Sequence, residues 1–192
     1  METIHRRNSS LSKRKRRSQW VIIVKIIENA LSDSFFNETL DILNKHATEF
    51  CWKPNKFFWP DYLMSGLYGT VMVSLAPEEY DRKFAKELHS VIPEFDELKC
   101  IFQCFDRGAG IAVHDDLDQY RWAATLYLNF KWNVNDGGIF CWKPVDTEDF
   151  MWRSIVPKKN LLVINDENEK HFVTPVSPYS AEERYTVQIW AK

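Results

Sequence analysis

The stretch KCIFQCFDRGAGIAVHDD, residues 99–116, sets the frame for the rest of the chain. Two apolar, β-rich runs near 99–105 and 110–116 flank a short segment punctuated by Gly108 and Gly110, a strand–turn–strand pattern rather than a helical one. Further runs of the same kind follow near 122–129, 138–143, 160–165, 171–176 and 184–190, broken at Asn135-Asp136-Gly137-Gly138, Pro157 and Pro178. With no helical period between them, they predict a sandwich or barrel of seven or eight short strands.

Upstream the pattern changes. Val21 to Ile27 is β-branched and reads as a buried strand. Ser32 and Asp33 then offer capping oxygens for a helix reaching about Phe50, because Phe36, Leu40, Leu43, Ala47 and Phe50 recur at steps of four and three and share one face. A second helix starts at Pro77, runs through Tyr80, Phe84, Leu88 and Val91, and stops at Pro93. Helices first and strands afterward predict a mainly β, α+β arrangement with the helices buttressing one outer face of a sheet. Between the helices, Trp52, Trp59, Tyr62 and Tyr68 lie among Pro54, Pro60 and Gly66, a stretch that reads as a substrate lid or as a packed surface loop.

With 192 residues and 45% hydrophobic content the chain is sized for one core, so a single domain is expected over 19–192. Residues 1–18 read as a basic, solvated tail. Residues 1–20 carry seven Lys or Arg against Glu2, a charge of +6, which leaves −8 on the remainder. The tail's core, Lys13-Arg14-Lys15-Arg16-Arg17, has too little apolar surface to order itself. It reads as a featureless arm, or as a contact for nucleic acid or an acidic partner, or as a nuclear-import signal.

The apolar run Trp20 to Ile27 is far shorter than the roughly 20 residues that span a bilayer, so no membrane association is expected. No small-residue cleavage site follows it. Cys51, Cys100, Cys104 and Cys141 are spread out with no metal-binding spacing, which fits reduced thiols and a cytoplasmic setting, or a nuclear one if the tail is an import signal.

His114 and Asp116 stand two apart, so a strand presents both side chains on one face. His171 and Arg184 follow on later strands. Two imidazoles and a carboxylate hold one side of an octahedral Fe(II) and leave the other side open to ligands. A guanidinium beyond them suits a carboxylate in two parallel hydrogen bonds.

Around these residues the sequence reads Phe105-x-x-Gly108-x-x-Ile111-x-x-His114-x-Asp116, then Arg121-x-x-x-Thr125-Leu126-Tyr127-Leu128-Asn129, Gly137-Gly138-Ile139-Phe140, His171-x-Val173 and Arg184-Tyr185. From Lys99 to Trp190 it resembles the prolyl 4-hydroxylase-like branch of the Fe(II)- and 2-oxoglutarate-dependent oxygenases. The resemblance implies a double-stranded β-helix of jelly-roll or cupin-like form, with iron held by His114, Asp116 and His171. It implies 2-oxoglutarate chelating the metal through its 1-carboxylate and 2-oxo group, with its distal carboxylate paired to Arg184. Tyr127 is implied as a second donor to the co-substrate, and Phe140, Val173 and Trp190 as pocket walls.

Dioxygen, and ascorbate as an accessory reductant, complete the implied cofactors. Hydroxylation of a C–H bond with release of succinate and CO2 is the implied reaction. An aspartate at 116, where a halogenase would carry Gly or Ala, favours it. A prolyl or other residue in a protein or peptide is the first expectation for the substrate, and a free amino acid or small metabolite the alternative. The chain departs from many relatives in having Phe105 where they carry Tyr, and Ile111 where an aromatic residue is common.

Overall fold

The computed structural model describes residues 24–49, 51–57, 59, 61–116, 120–144, 147–148, 150–166 and 169–192. The basic tail, and the part of the first expected strand before Val24, lie outside these residues. The elements are β1 (Lys25–Glu28), α1 (Asp33–Thr48), β2 (Lys53–Pro54), α2 (Asp61–Ser65), β3 (Leu67–Tyr68), β4 (Val71–Leu75), α3 (Glu78–Leu88), β5 (Leu98–Phe105), β6 (Gly110–His114), β7 (Trp122–Tyr127), β8 (Phe140–Trp142), β9 (Arg153–Ile155), β10 (Leu161–Asp166), β11 (His171–Val173) and β12 (Arg184–Ala191).

Two antiparallel sheets carry the fold, one of seven strands in the order β1-β10-β7-β12-β5-β4-β2 and one of five in the order β3-β6-β11-β8-β9. From β5 onward the chain shuttles between them: β5, β7, β10 and β12 lie in the larger sheet, and β6, β8, β9 and β11 in the smaller. This is the jelly-roll arrangement, eight strands wound so that each sheet is assembled from distant parts of the chain.

Strand alternation gives the larger sheet two different faces. Val187, Ile189 and Ala191 of β12, with Phe102, Ala124, Leu126, Leu162 and Ile164, pack under the helices. Phe105, Tyr127, Leu161, Val163 and Trp190 turn toward the smaller sheet. The helix-facing layer is dry and aromatic, with Phe102 set against Tyr80 at 5.6 Å and against His46 at 5.4 Å between ring centroids.

Helix α1 starts where the sequence predicts, with the Ser32 side chain accepting from the Phe35 N–H, but its buried stripe is rotated. Phe35, Phe36, Thr39, Leu43 and His46 point inward, while Ala47 faces solvent. The two polar members tolerate burial because each is paired: Thr39 donates to the Phe35 carbonyl and meets the Tyr80 hydroxyl at 3.1 Å, and His46 Nδ1 lies 2.9 Å from Ser74 Oγ. Helix α3 follows Pro77 as expected and ends at Leu88, short of Pro93. Its buried Asp81 accepts from the Cys100 N–H and from Lys99 Nζ, tying the helix to β5.

Four strands and one helix were not anticipated. Strands β2 and β3 have two residues each, β9 is largely exposed and carries no apolar signal, and α2 occupies part of the aromatic stretch. Strand β4 buries Val71 and Val73 against β5 and extends the larger sheet beyond the strands read from the sequence. Among the described residues no helix is long and apolar enough to cross a membrane.

Candidate active site

Strand β6 ends at His114, which pairs in register with His171 of β11, so the two imidazoles come from neighbouring strands of the smaller sheet. The expected strand to residue 116 is therefore two residues too long, and Asp116 lies just past its end. Even so, the ligand atoms of His114, Asp116 and His171 all lie within 4.8 Å of one another. The rings of the two histidines are 4.3 Å apart, and His171 Nε2 is 3.8 Å from Asp116 Oδ2.

The tautomers follow from the backbone. His114 Nδ1 lies 2.8 Å from the Ala112 carbonyl and His171 Nδ1 lies 2.7 Å from the Glu169 carbonyl. A carbonyl only accepts, so each Nδ1 carries the hydrogen and each Nε2 keeps its lone pair. Burial, and then the neighbouring His171, pull the pKa of His114 down to about 4, so it is neutral at pH 7. Asp116 is buried and accepts from Asn165 Nδ2 of β10 at 3.2 Å, which orients its carboxylate from the larger sheet. Two imidazoles and one carboxylate, each braced from behind, are a donor set that fits ferrous iron.

Arg184 opens β12 and is 1% exposed. Glu183 beside it pairs instead with Arg107 at 2.8 Å, and among the described residues no carboxylate faces the Arg184 guanidinium. That group is layered between aromatic rings, 4.7 Å from the centroid of Phe105 and 5.0 Å from that of Tyr127. Arg184 Nε and the Tyr127 hydroxyl are both buried, and among the described residues neither has a hydrogen-bond partner of good geometry. Burial lowers the arginine's pKa and raises the tyrosine's, while each group's presence opposes the other's shift. A buried cation with unmet donors costs several kcal/mol unless an anion joins it. The distal carboxylate of a keto-diacid supplies acceptors of that kind.

Local structure holds Arg184 in place. Asn129 accepts from the Tyr185 N–H and donates to the Glu183 carbonyl, clamping the backbone on both sides of it. Gly138, at φ +59°, lies so close that a Cβ there would come within 2.7 Å of Arg184 Cδ. The Trp132 indole N–H donates to the Gly137 carbonyl and steadies the same turn.

His114, Asp116, His171 and Arg184 open onto one cavity, which Phe140, Val173 and Trp190 also line. Tyr127 sits beside the guanidinium, within the wall. Phe105 and Ile111, the two departures from the family pattern, border the same space, as does Trp59 from the aromatic stretch. Trp52 instead packs against the helix-facing core and Tyr68 is exposed, so of the described side chains proposed for a lid only Trp59 reaches the cavity. Residues not singled out as pocket walls from the sequence are Gln103, Thr125, Asn165 and Gln188. Their signal was available: polar residues on the same inward rows as Arg184 and Tyr127 have no reason to be there in a plain core.

Jelly-roll sheets, a cluster of two histidines and an aspartate, and an arginine with no carboxylate partner among the described residues, all at one cavity, fit a non-haem iron oxygenase that uses a keto-diacid. Residues 100–192 match the family model of the 2OG-Fe(II) oxygenase superfamily, so this segment is a 2OG-Fe(II) oxygenase domain and the protein is a 2-oxoglutarate-dependent dioxygenase, with Fe(II), 2-oxoglutarate and O2 as the implied cofactors.

Solved structures show the same fold at low identity. A prolyl-4-hydroxylase from Pseudomonas putida is 16% identical with a TM-score of 0.65, over 88% of this chain and 92% of that one. A prolyl hydroxylase from Trichoplax adhaerens, in complex with a peptide fragment of the hypoxia inducible factor oxygen degradation domain, is 20% identical with a TM-score of 0.68, over 88% and 82%. The α-ketoglutarate-dependent epimerase SnoN from nogalamycin biosynthesis is 12% identical with a TM-score of 0.58, over 88% and 78%. No curated protein sequence matches the chain.

Proposed function

We propose that the protein hydroxylates an unactivated C–H bond of a prolyl or other residue in a protein or peptide, coupled to conversion of 2-oxoglutarate to succinate and CO2. The observation that carries the reading is the buried Arg184, without a carboxylate partner among the described residues, in the same cavity as His114, Asp116 and His171. When bound, Fe(II) with dioxygen and 2-oxoglutarate supplies the oxidant. In this reading His114, Asp116 and His171 hold the metal, and Asn165 fixes the carboxylate's angle. Arg184 and Tyr127 take the distal carboxylate, while Phe140, Val173 and Trp190 keep water from the reacting face. Ascorbate belongs in the assay as an accessory reductant.

A peptide substrate is favoured by the likeness in fold to the Trichoplax enzyme, solved with a peptide fragment. The second reading, a free amino acid or small metabolite, is favoured by the likeness to an epimerase from a biosynthetic pathway. Anaerobic addition of Fe(II) and 2-oxoglutarate should produce a visible charge-transfer band, lost in His171→Ala. Without that band in the wild-type protein, the iron and co-substrate assignment fails. Succinate release over a panel of prolyl peptides and free amino acids then separates the substrates, and turnover confined to free amino acids would overturn the peptide reading.

A further inference from the structure

The inward rows of the larger sheet form layers. Arg184 pairs with Phe105 in one, Thr186 lies between Gln103 and Tyr127 in the next, and Gln188 between Ile101 and Thr125 in the one after. Beyond it Trp190 pairs with Ala123, which itself pairs with Asn165, the residue bonded to Asp116. The layer of Gln188 and Thr125 therefore separates the arginine end of the cavity from the triad end.

The Thr125 hydroxyl donates to Gln188 Oε1 at 2.8 Å, and the Thr186 hydroxyl to Gln103 Oε1 at 3.4 Å. With each amide oxygen engaged, each amide nitrogen is left to donate elsewhere, and neither has a partner among the described residues. Both glutamines line the cavity. Neutral amide donors facing an enclosed space fit a group that only accepts.

We propose that Gln188, oriented by Thr125, is a second anchor for the co-substrate, donating to the carboxylate beside its keto group, at the end opposite Arg184. Gln103, oriented by Thr186, donates along the same edge. This rests on the 2-oxoglutarate reading above. Phe105, on the same sheet, has no hydroxyl to offer, so Gln188 supplies a polar contact to the co-substrate that position 105 does not.

The test is binding rather than turnover: 2-oxoglutarate affinity of the Ni(II)-loaded full-length protein, measured by calorimetry. Gln188→Leu and Thr125→Val should each weaken it roughly tenfold or more, with Ni(II) retained. Levulinate, which has a methyl group in place of that carboxylate, is the control. Read by ligand-observed NMR, its affinity should change less than twofold in the same variants, a split that general damage to the pocket would not give. Equal losses for both ligands, or 2-oxoglutarate binding within twofold of wild type, would overturn the proposal. A wild-type protein that binds metal and no 2-oxoglutarate would instead overturn the functional reading beneath it.

Discussion

Strand β12 carries two opposite kinds of chemistry on its two sides. Val187, Ile189 and Ala191 face the helices, fully buried and apolar. Arg184, Thr186, Gln188 and Trp190 face the other sheet, and this row holds a buried guanidinium nitrogen with no partner among the described residues and an amide whose oxygen is already engaged by Thr125. Both rows share one backbone and one register. The helix side supplies the stability while the cavity side withholds it, keeping donors unmet until a ligand arrives.

The largest effect that would sharpen this contrast is on metal. Asp116→Ala should reduce Fe(II) affinity by at least about 100-fold and leave the melting temperature of the metal-free protein at or above wild type. A markedly lower melting temperature would mean that the aspartate is structural. On the other face, Phe102→Ala should cost about 3–5 kcal/mol in denaturant unfolding. In whatever fraction stays folded, 2-oxoglutarate binding should be unaffected, and a matching loss of affinity would erase the distinction between the faces.

Arg184→Met probes the same boundary from within. It should weaken 2-oxoglutarate binding by roughly 100-fold, yet hold or raise the melting temperature because an unpaired buried charge is gone. Destabilisation comparable to Phe102→Ala would make Arg184 a core residue.

The smallest effect concerns His46 on the buried face of α1. Burial, then Lys45, depress its pKa below 6.5 against the pull of Glu49, so the folded state resists protonation. The resulting stability is complete above pH 6.5 and declines as pH falls toward the folded pKa, because the unfolded chain binds the proton first. His46→Gln should flatten the melting temperature against pH in that window, and a wild-type profile already flat there would contradict the assignment.

Much of this was legible in the residues because alternation is rigid: once Arg184 and Tyr185 take opposite sides, so do all the residues of β12 after them. The triad was readable for the same reason, although Asp116 reaches it from beyond the strand rather than within it. What escaped had a physical cause. Thr39 and His46 enter the helical stripe only because Tyr80 and Ser74 satisfy them, and those partners are remote in sequence. Strand β9 is held by pairing to β8 and buries little of its own. The polar cavity rows were visible as letters, but their meaning depended on Thr125 and Gln188, 63 positions apart, meeting across two strands.

The turn at Gly137 and Gly138 makes the arginine hostage to a residue with no side chain. A single methyl at 138 would press on the Arg184 stem and tilt its charged head, so alanine there would mimic damage to the anchor while leaving every polar group of the cavity in place. Anyone enlarging this pocket by mutagenesis would find that its tightest tolerance lies in that loop rather than among the groups that touch the ligand.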